Sequence, residues 1–150
     1  MHACLEDVLT THELIRAWLD ASAPDSAVLT GLMARFSPDY TMITPAGAKL
    51  DYASLRAFFS SAGGSRPGLQ MQISELALLQ ESAAGAVVAY REIQTLGDGS
   101  STTRLSTVVY EKSIDGKLLW RHLHETWAVA SALFLHAGGV LADNVTALAD

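Results

Sequence analysis

The chain of 150 residues contains a single cysteine, Cys4. One thiol excludes an intrachain disulfide framework and a cysteine-rich zinc site. Charged residues are scarce as well, at 17%, and the net charge is −6. The ten lysines and arginines are scattered, so no basic stripe is available to neutralise phosphates, and nucleic acid is not expected as a partner. No apolar run is long enough to cross a bilayer, so no membrane partner is expected either. The opening MHACLEDVLTTHEL lacks a basic start followed by an apolar stretch, so no signal peptide is expected and a cytoplasmic location is. There is no internal repeat. Gly63-Gly64 is not followed by a helical pattern, which excludes a phosphate-cradling loop. No cofactor is implied.

Apolar residues are plentiful at 49%, and the mean hydropathy of +0.22 is high for a monomer. Part of that apolar surface is expected to be covered by a second copy of the chain. The length fits one domain with one core.

Leu5, Val8, Leu9, His12, Ile15 and Leu19 recur at three- and four-residue steps, widened by Leu14 and Trp18. This predicts an amphipathic helix ending near Ala23-Pro24. Pro24 and Asp25 open a second helix with Val28, Leu29, Leu32, Met33 and Phe36 on its buried side, broken by Ser37-Pro38-Asp39. Tyr40 to Thr44 reads as a short strand and Pro45-Ala46-Gly47 as a turn. Asp51 caps a third helix carrying Leu55, Phe58 and Phe59. After the loop SAGGSRPG, residues 69–80, 84–96, 102–114 and 117–130 read as long strands. The Asp115-Gly116 pair between the last two signals a tight hairpin. Helices followed by an antiparallel meander predict an α+β architecture, with a curved sheet leaving a conical cavity. The expected domain spans 1–130, followed by an apolar extension at 131–150 docked on it and partly helical after Asp143.

This order resembles the nuclear transport factor 2-like superfamily, cone-shaped α+β rolls that include SnoaL-like cyclases and ketosteroid isomerases. It is similar in particular to the association domain of calcium/calmodulin-dependent kinase II. The likeness rests on Tyr90-Arg91-Glu92-Ile93-Gln94, Gly97-Asp98-Gly99, RLSTVVYEK at 104–112, Asp115-Gly116-Lys117 and WRHLHETW at 120–127. The passage at 36–59 shares the expected strand, glycine and helix order. The resemblance implies that Arg91 and Trp127 face the cavity, with Val108 where a further arginine would sit.

Alternation along the strands extends that implied face. The expected cavity lining is Arg91, Arg104, Ser106, Tyr110, Arg121, Glu125 and Trp127, with Tyr40 or Met42 from the short strand. Tyr90, Glu92, Trp120, His122, His124 and Thr126 are expected on the outer face, where Tyr90, Trp120, His122 and His124 meet a second subunit. Converging arginines suit a carboxylate or another planar anion. Glu125 has two readings: a salt bridge to Arg91 or Arg121, or a desolvated acid/base. His12 likewise reads as an acid/base at the cavity or as a hydrogen-bonded core residue. Tyr110 reads as a donor to a ligand or to Glu125. His122 and His124 at i and i+2 lack enough further ligands, so no metal site is assigned.

Three functions follow from these expectations. The first is a homodimeric small-molecule-binding domain with a partly polar, arginine-lined pocket. The second is a cofactor-free isomerase, cyclase or hydratase using Glu125 or His12. The third is an oligomerisation module.

Overall fold

The computed structural model describes residues 1–129. The expected docked extension at 131–150 lies outside the described residues. In chain order the elements are α1 (Ala3–Asp20), α2 (Ser26–Met33), β1 (Phe36–Ile43), β2 (Lys49–Asp51), α3 (Tyr52–Ala62), β3 (Gln70–Ser82), β4 (Gly85–Thr95), β5 (Ser101–Lys112) and β6 (Leu118–Trp127). The six strands form one sheet in the order β2-β1-β6-β5-β4-β3, antiparallel except for the β1–β6 pair. Three helices on a curved sheet make the expected α+β roll.

Side-chain caps start the helices. His2 Nδ1 accepts from the Cys4 N–H at the head of α1, Asp25 accepts from Ala27 before α2, and Asp51 accepts from Ser54 before α3. Each satisfies an amide that the first helical turn leaves unpaired. Gly116 takes φ 82° in the β5–β6 hairpin, the left-handed conformation that its turn needs.

Local departures from the expected pattern matter in two places. Phe36 does not end α2. It begins β1, which runs on through Pro38, and the β1–β6 register shifts between Phe36 and Thr41. That irregularity accommodates a proline that cannot donate to the ladder. β2 was not expected from the pattern. It is only three residues long and pairs with β1 through Thr41 to Ile43.

The second place is WRHLHETW. Tyr110 pairs with Trp120, whereas Val109 pairs with His122. Arg121 is therefore an extra residue on β6, a bulge that breaks the strict alternation. Trp120 and Leu123 both turn inward, at 1% and 8% exposure. Arg121 leaves the cavity side and donates to the Asp39 carbonyl of β1 at 2.7 Å.

One carboxylate ties α1 to the sheet. Asp7 Oδ2 accepts from the Tyr110 hydroxyl at 2.8 Å, the Trp120 indole N–H at 2.8 Å and the Thr11 hydroxyl at 3.2 Å, while Oδ1 accepts from Arg35 at 3.1 Å. Tyr110 and Trp120 belong with Val8, Val88 and Val108 to the buried core, all at most 2% exposed.

Candidate functional site

A cavity of about 370 Å³ opens between the concave face of the sheet and the helices. Helix α1 contributes His12, Ile15 and Leu19, and α3 contributes Leu55, Phe58 and Phe59. Tyr40 and Met42 of β1 form one wall, and Leu123, Glu125 and Trp127 of β6 another. The walls are mostly apolar, and the acidic and basic lining residues are His12, Arg66, Glu92, Arg104 and Glu125. Few polar groups in an apolar hollow of this size is the usual make-up of a small-molecule site.

Two buried polar groupings lie side by side at this space, joined through the paired positions Glu92 of β4 and Arg104 of β5. In the first, His12 Nε2 lies 3.0 Å from Glu92 Oε1 and His12 Nδ1 lies 2.7 Å from the Val8 carbonyl. A carbonyl only accepts, so Nδ1 carries a proton, and an ionised Glu92 requires a second proton on Nε2. Burial alone depresses the His12 pKa. The Glu92 hydrogen bond and charge, with the Val8 bond, reverse that and leave it above the ordinary imidazole value. Burial likewise pushes Glu92 upward, but the His12 bond and charge, then Gln94 and Arg104, leave it below the ordinary carboxylate value. The two directions agree on an imidazolium–carboxylate pair.

In the second grouping, Arg104 donates to Glu125 Oε1 at 3.2 Å and the Ser106 hydroxyl donates to Oε2 at 3.0 Å. The Arg104 guanidinium also lies over the Trp127 ring, 5.0 Å from its centroid, a cation–π contact at a 46% exposed tryptophan. Burial raises Glu125, the Glu92 charge raises it further, and Arg104 and Ser106 offset only part of this. Glu125 therefore holds a proton more readily than a free glutamate. Tyr40, pushed well above the ordinary phenol range by burial and by Glu125, stays a neutral hydroxyl.

The expected site residues divide as follows. His12, Tyr40, Arg104, Glu125 and Trp127 line the cavity together, and Ser106 stands behind Glu125. Arg91, Arg121 and Tyr110 do not line it. On β4 the buried residues are Ala86, Val88, Tyr90, Glu92 and Gln94, so Arg91 falls on the opposite face. Arg121 is displaced by the bulge, and the Tyr110 hydroxyl is spent on Asp7. Glu125 accordingly pairs with Arg104, not with Arg91 or Arg121. The expected outer placement of Tyr90, Glu92 and Trp120 is overturned by exposures of 3%, 2% and 1%. His122, His124 and Thr126 do lie along the other face of the sheet, with Leu105 and Val109.

Reasoning from the pattern missed Glu92, Gln94 and Arg66. The first two were legible in principle: YREIQT can be written with either set inward, and only the partner His12 decides. Arg66 sits in a loop, where no periodicity points anywhere.

A separate group, His2, Cys4 and Glu81, brings potential metal-ligating atoms within 4.8 Å of one another. Both His2 nitrogens are engaged, however. Nδ1 accepts from the Cys4 N–H and Nε2 lies 2.7 Å from Glu81. The arrangement works as a helix cap anchored to β3.

The chain is similar to an NTF-2-like protein of unknown function from Pseudomonas aeruginosa, at 42% identity over 85% of this chain and all of that one, with a TM-score of 0.80. It belongs to the NTF2-like family. More distant likenesses show the shared fold. One is a candidate calcium/calmodulin-dependent protein kinase type II association domain from Thiobacillus denitrificans (20% identity, 83% of this chain and 93% of that one, TM-score 0.62). Another is a candidate dehydratase of the same family from Streptomyces avermitilis (12% identity, 84% and 96%, TM-score 0.64). No family model and no curated protein matches the chain. Among the described residues, no helix is long and apolar enough to cross a membrane.

Proposed function

We propose that the cavity binds a small, largely apolar organic molecule that carries one anionic or strongly polarised oxygen. The observation that carries this is the charge at an otherwise apolar site. Three cationic side chains, His12, Arg66 and Arg104, face two carboxylates, Glu92 and Glu125. With His12 protonated, one positive charge is in surplus, and a ligand oxygen would complete it. The test is a titration of small aryl carboxylates, followed by Trp127 fluorescence with Trp127→Phe as the control for signal origin. Saturable quenching that is lost in Arg104→Met supports the reading. Absence of binding by every member of the series sinks it.

A second reading is favoured by the opposite displacements of Glu125 and Glu92. Neighbouring titratable groups driven apart in this way suit proton transfer. In it Glu125 moves a proton on the bound molecule, and Arg104 and Tyr40 stabilise the oxygen that gains charge. His12 orders Glu92, since both its ring nitrogens are taken. Exchange of ligand α-hydrogens with D2O, read by NMR and lost in Glu125→Gln, would distinguish an enzyme from a binder.

The reading includes a second copy of the chain on the outer face of the sheet. Leu105, 44% exposed there among Val109, His122 and His124, supports it. Leu105→Lys should yield monomers in sedimentation velocity. A wild type already monomeric at high concentration would remove the dimer from the proposal and leave the cavity reading intact.

A further inference from the structure

Four side chains are joined end to end beneath the cavity. Arg66, in the loop between α3 and β3, donates from Nη1 to Gln94 Oε1 at 3.1 Å. Gln94 donates from Nε2 to Glu92 Oε2, and Glu92 Oε1 meets His12 Nε2 at 3.0 Å. Gln94 and Glu92 are 8% and 2% exposed, and His12 is 5% exposed. Arg66 is the half-buried end of the chain.

The direction of this chain is set from its outer end. An arginine only donates, so the Gln94 amide must turn its oxygen toward Arg66. Its NH₂ group is then committed to Glu92. A carboxylate accepting a donor on one oxygen and an imidazolium on the other is stabilised in its charged form. Without Arg66 only the Glu92 carboxylate itself holds the amide NH₂ inward, and a flipped amide, which would present its oxygen to a protonated Glu92, becomes accessible. That contact favours a protonated Glu92 and a neutral His12.

We propose that Arg66 and Gln94 are positioning residues that hold the Glu92–His12 pair ionised and thereby maintain the positive surplus of the cavity. The functional half rests on the cavity being the ligand site proposed above; the charge-state half does not. The ionisable groups facing His12 are Glu92 and Tyr90 from β4, Arg104 from β5, Glu125 from β6, Tyr40 from β1 and Arg66 from the loop. The two glutamates favour the imidazolium and the two arginines oppose it through their charge alone.

That opposition gives a sign test. If Arg66 acted only as a nearby charge, Arg66→Met would raise the titration midpoint of His12. If it acts by orienting Gln94, the midpoint falls. The measurement is the imidazole ¹⁵N shifts of His12 in the free protein across a pH series, assigned by their loss in His12→Gln. The expected result is a doubly protonated ring at pH 7 in the wild type. Gln94→Met and Arg66→Met should both displace the midpoint downward, with partial recovery in Arg66→Lys. A neutral His12 ring in the wild type, an unmoved midpoint in both variants or an upward movement in Arg66→Met overturns the proposal. Should Gln94→Met fail to fold, the loop variants at Arg66 still decide the sign.

The functional half is read with 2-naphthoate and its neutral congener 2-naphthamide. Gln94→Met should shift the affinity ratio of anion to amide roughly tenfold against the anion, about the effect of 1.4 kcal/mol. Equal weakening of both would mean that Gln94 only shapes the cavity, and would overturn the functional half. If neither probe binds the wild type, the cavity reading and the functional half both fail, while the ¹⁵N series still decides the charge-state half.

Discussion

Two carboxylate nodes, Asp7 of α1 and Glu125 of β6, lie at the inner face of the sheet, and they are dressed in opposite ways. Asp7 takes four donors, three of them on one oxygen, and lies outside the cavity. Glu125 takes two donors and faces the cavity with Glu92 on the same wall, whose charge works against its ionisation. A saturated carboxylate has no capacity left for a ligand. An under-supplied one, placed where a molecule fits, has. The comparison teaches that burial of an acid says little about function, and that the donor count beside open space says more.

The largest expected effect is at the saturated node. Asp7→Ala strands the Tyr110 hydroxyl and the Trp120 indole N–H in one stroke and leaves Arg35 with Thr11 alone. Loss of one member of such a buried network costs roughly 3–5 kcal/mol. Urea unfolding should show the midpoint falling with its slope unchanged. If Asp7→Ala unfolds within about 1 kcal/mol of the wild type, the node is not structural and the contrast collapses.

Glu125→Gln sharpens the other side. The amide oxygen can still accept from Arg104 and its NH₂ can donate to the Ser106 hydroxyl oxygen, so stability at pH 7 should change by only about 1 kcal/mol, while aryl carboxylate binding or proton exchange changes outright. The pH dependence carries the sign. A carboxyl whose folded pKa is raised contributes stability that is full below the ordinary value of 4.5 and is lost as pH rises through the raised value. Glu125→Gln should therefore gain on the wild type as pH climbs above 4.5. The Glu92–His12 pair behaves differently. Its glutamate, lowered, supports the fold above 4.5 and loses that support as pH falls through its own value. Its histidine, raised, supports the fold fully below 6.5 and loses that support as pH rises through its own value. Melting temperatures across pH should show this pair's contribution greatest between those two ordinary values and diminished in His12→Gln. A profile for His12→Gln parallel to the wild type throughout would mean that the pair is not ionised.

Much of this arrangement was legible as pattern. The helical stripe placed His12 on the inner face of α1, and alternation put Arg104, Ser106 and Glu125 on one face of β5 and β6. What was not legible has physical causes. The bulge at Arg121 depends on how β5 and β6 pair, and it exchanges the places of Trp120 and Arg121 without leaving a mark in WRHLHETW itself. On β4, Tyr90, Glu92 and Gln94 alternate with Arg91 and Ile93, and each set mixes polar with apolar groups. Hydrophobicity therefore does not orient the strand. A buried histidine across the cavity does, and that is tertiary information. Arg66 reaches the site only because its loop passes beside Gln94.

The smallest expected effect tests the donor-counting argument at its limit. Tyr90 is 3% exposed, its ring edge-on to His12 at 5.1 Å between centroids, and its hydroxyl has no hydrogen-bond partner among the described residues. A buried hydroxyl with no partner weakens the fold relative to a ring without it, since only the unfolded chain lets water solvate the group. Tyr90→Phe should thus leave stability unchanged or raise it by up to about 1 kcal/mol, the reverse of Asp7→Ala. It should also leave probe binding intact, because Tyr90 does not line the cavity. If Tyr90→Phe instead destabilises the protein or abolishes binding, then a water or a ligand oxygen holds that hydroxyl in solution. Tyr90 would then join Tyr40 among the groups that act on the bound molecule, and the boundary between the two nodes would move one residue deeper along β4.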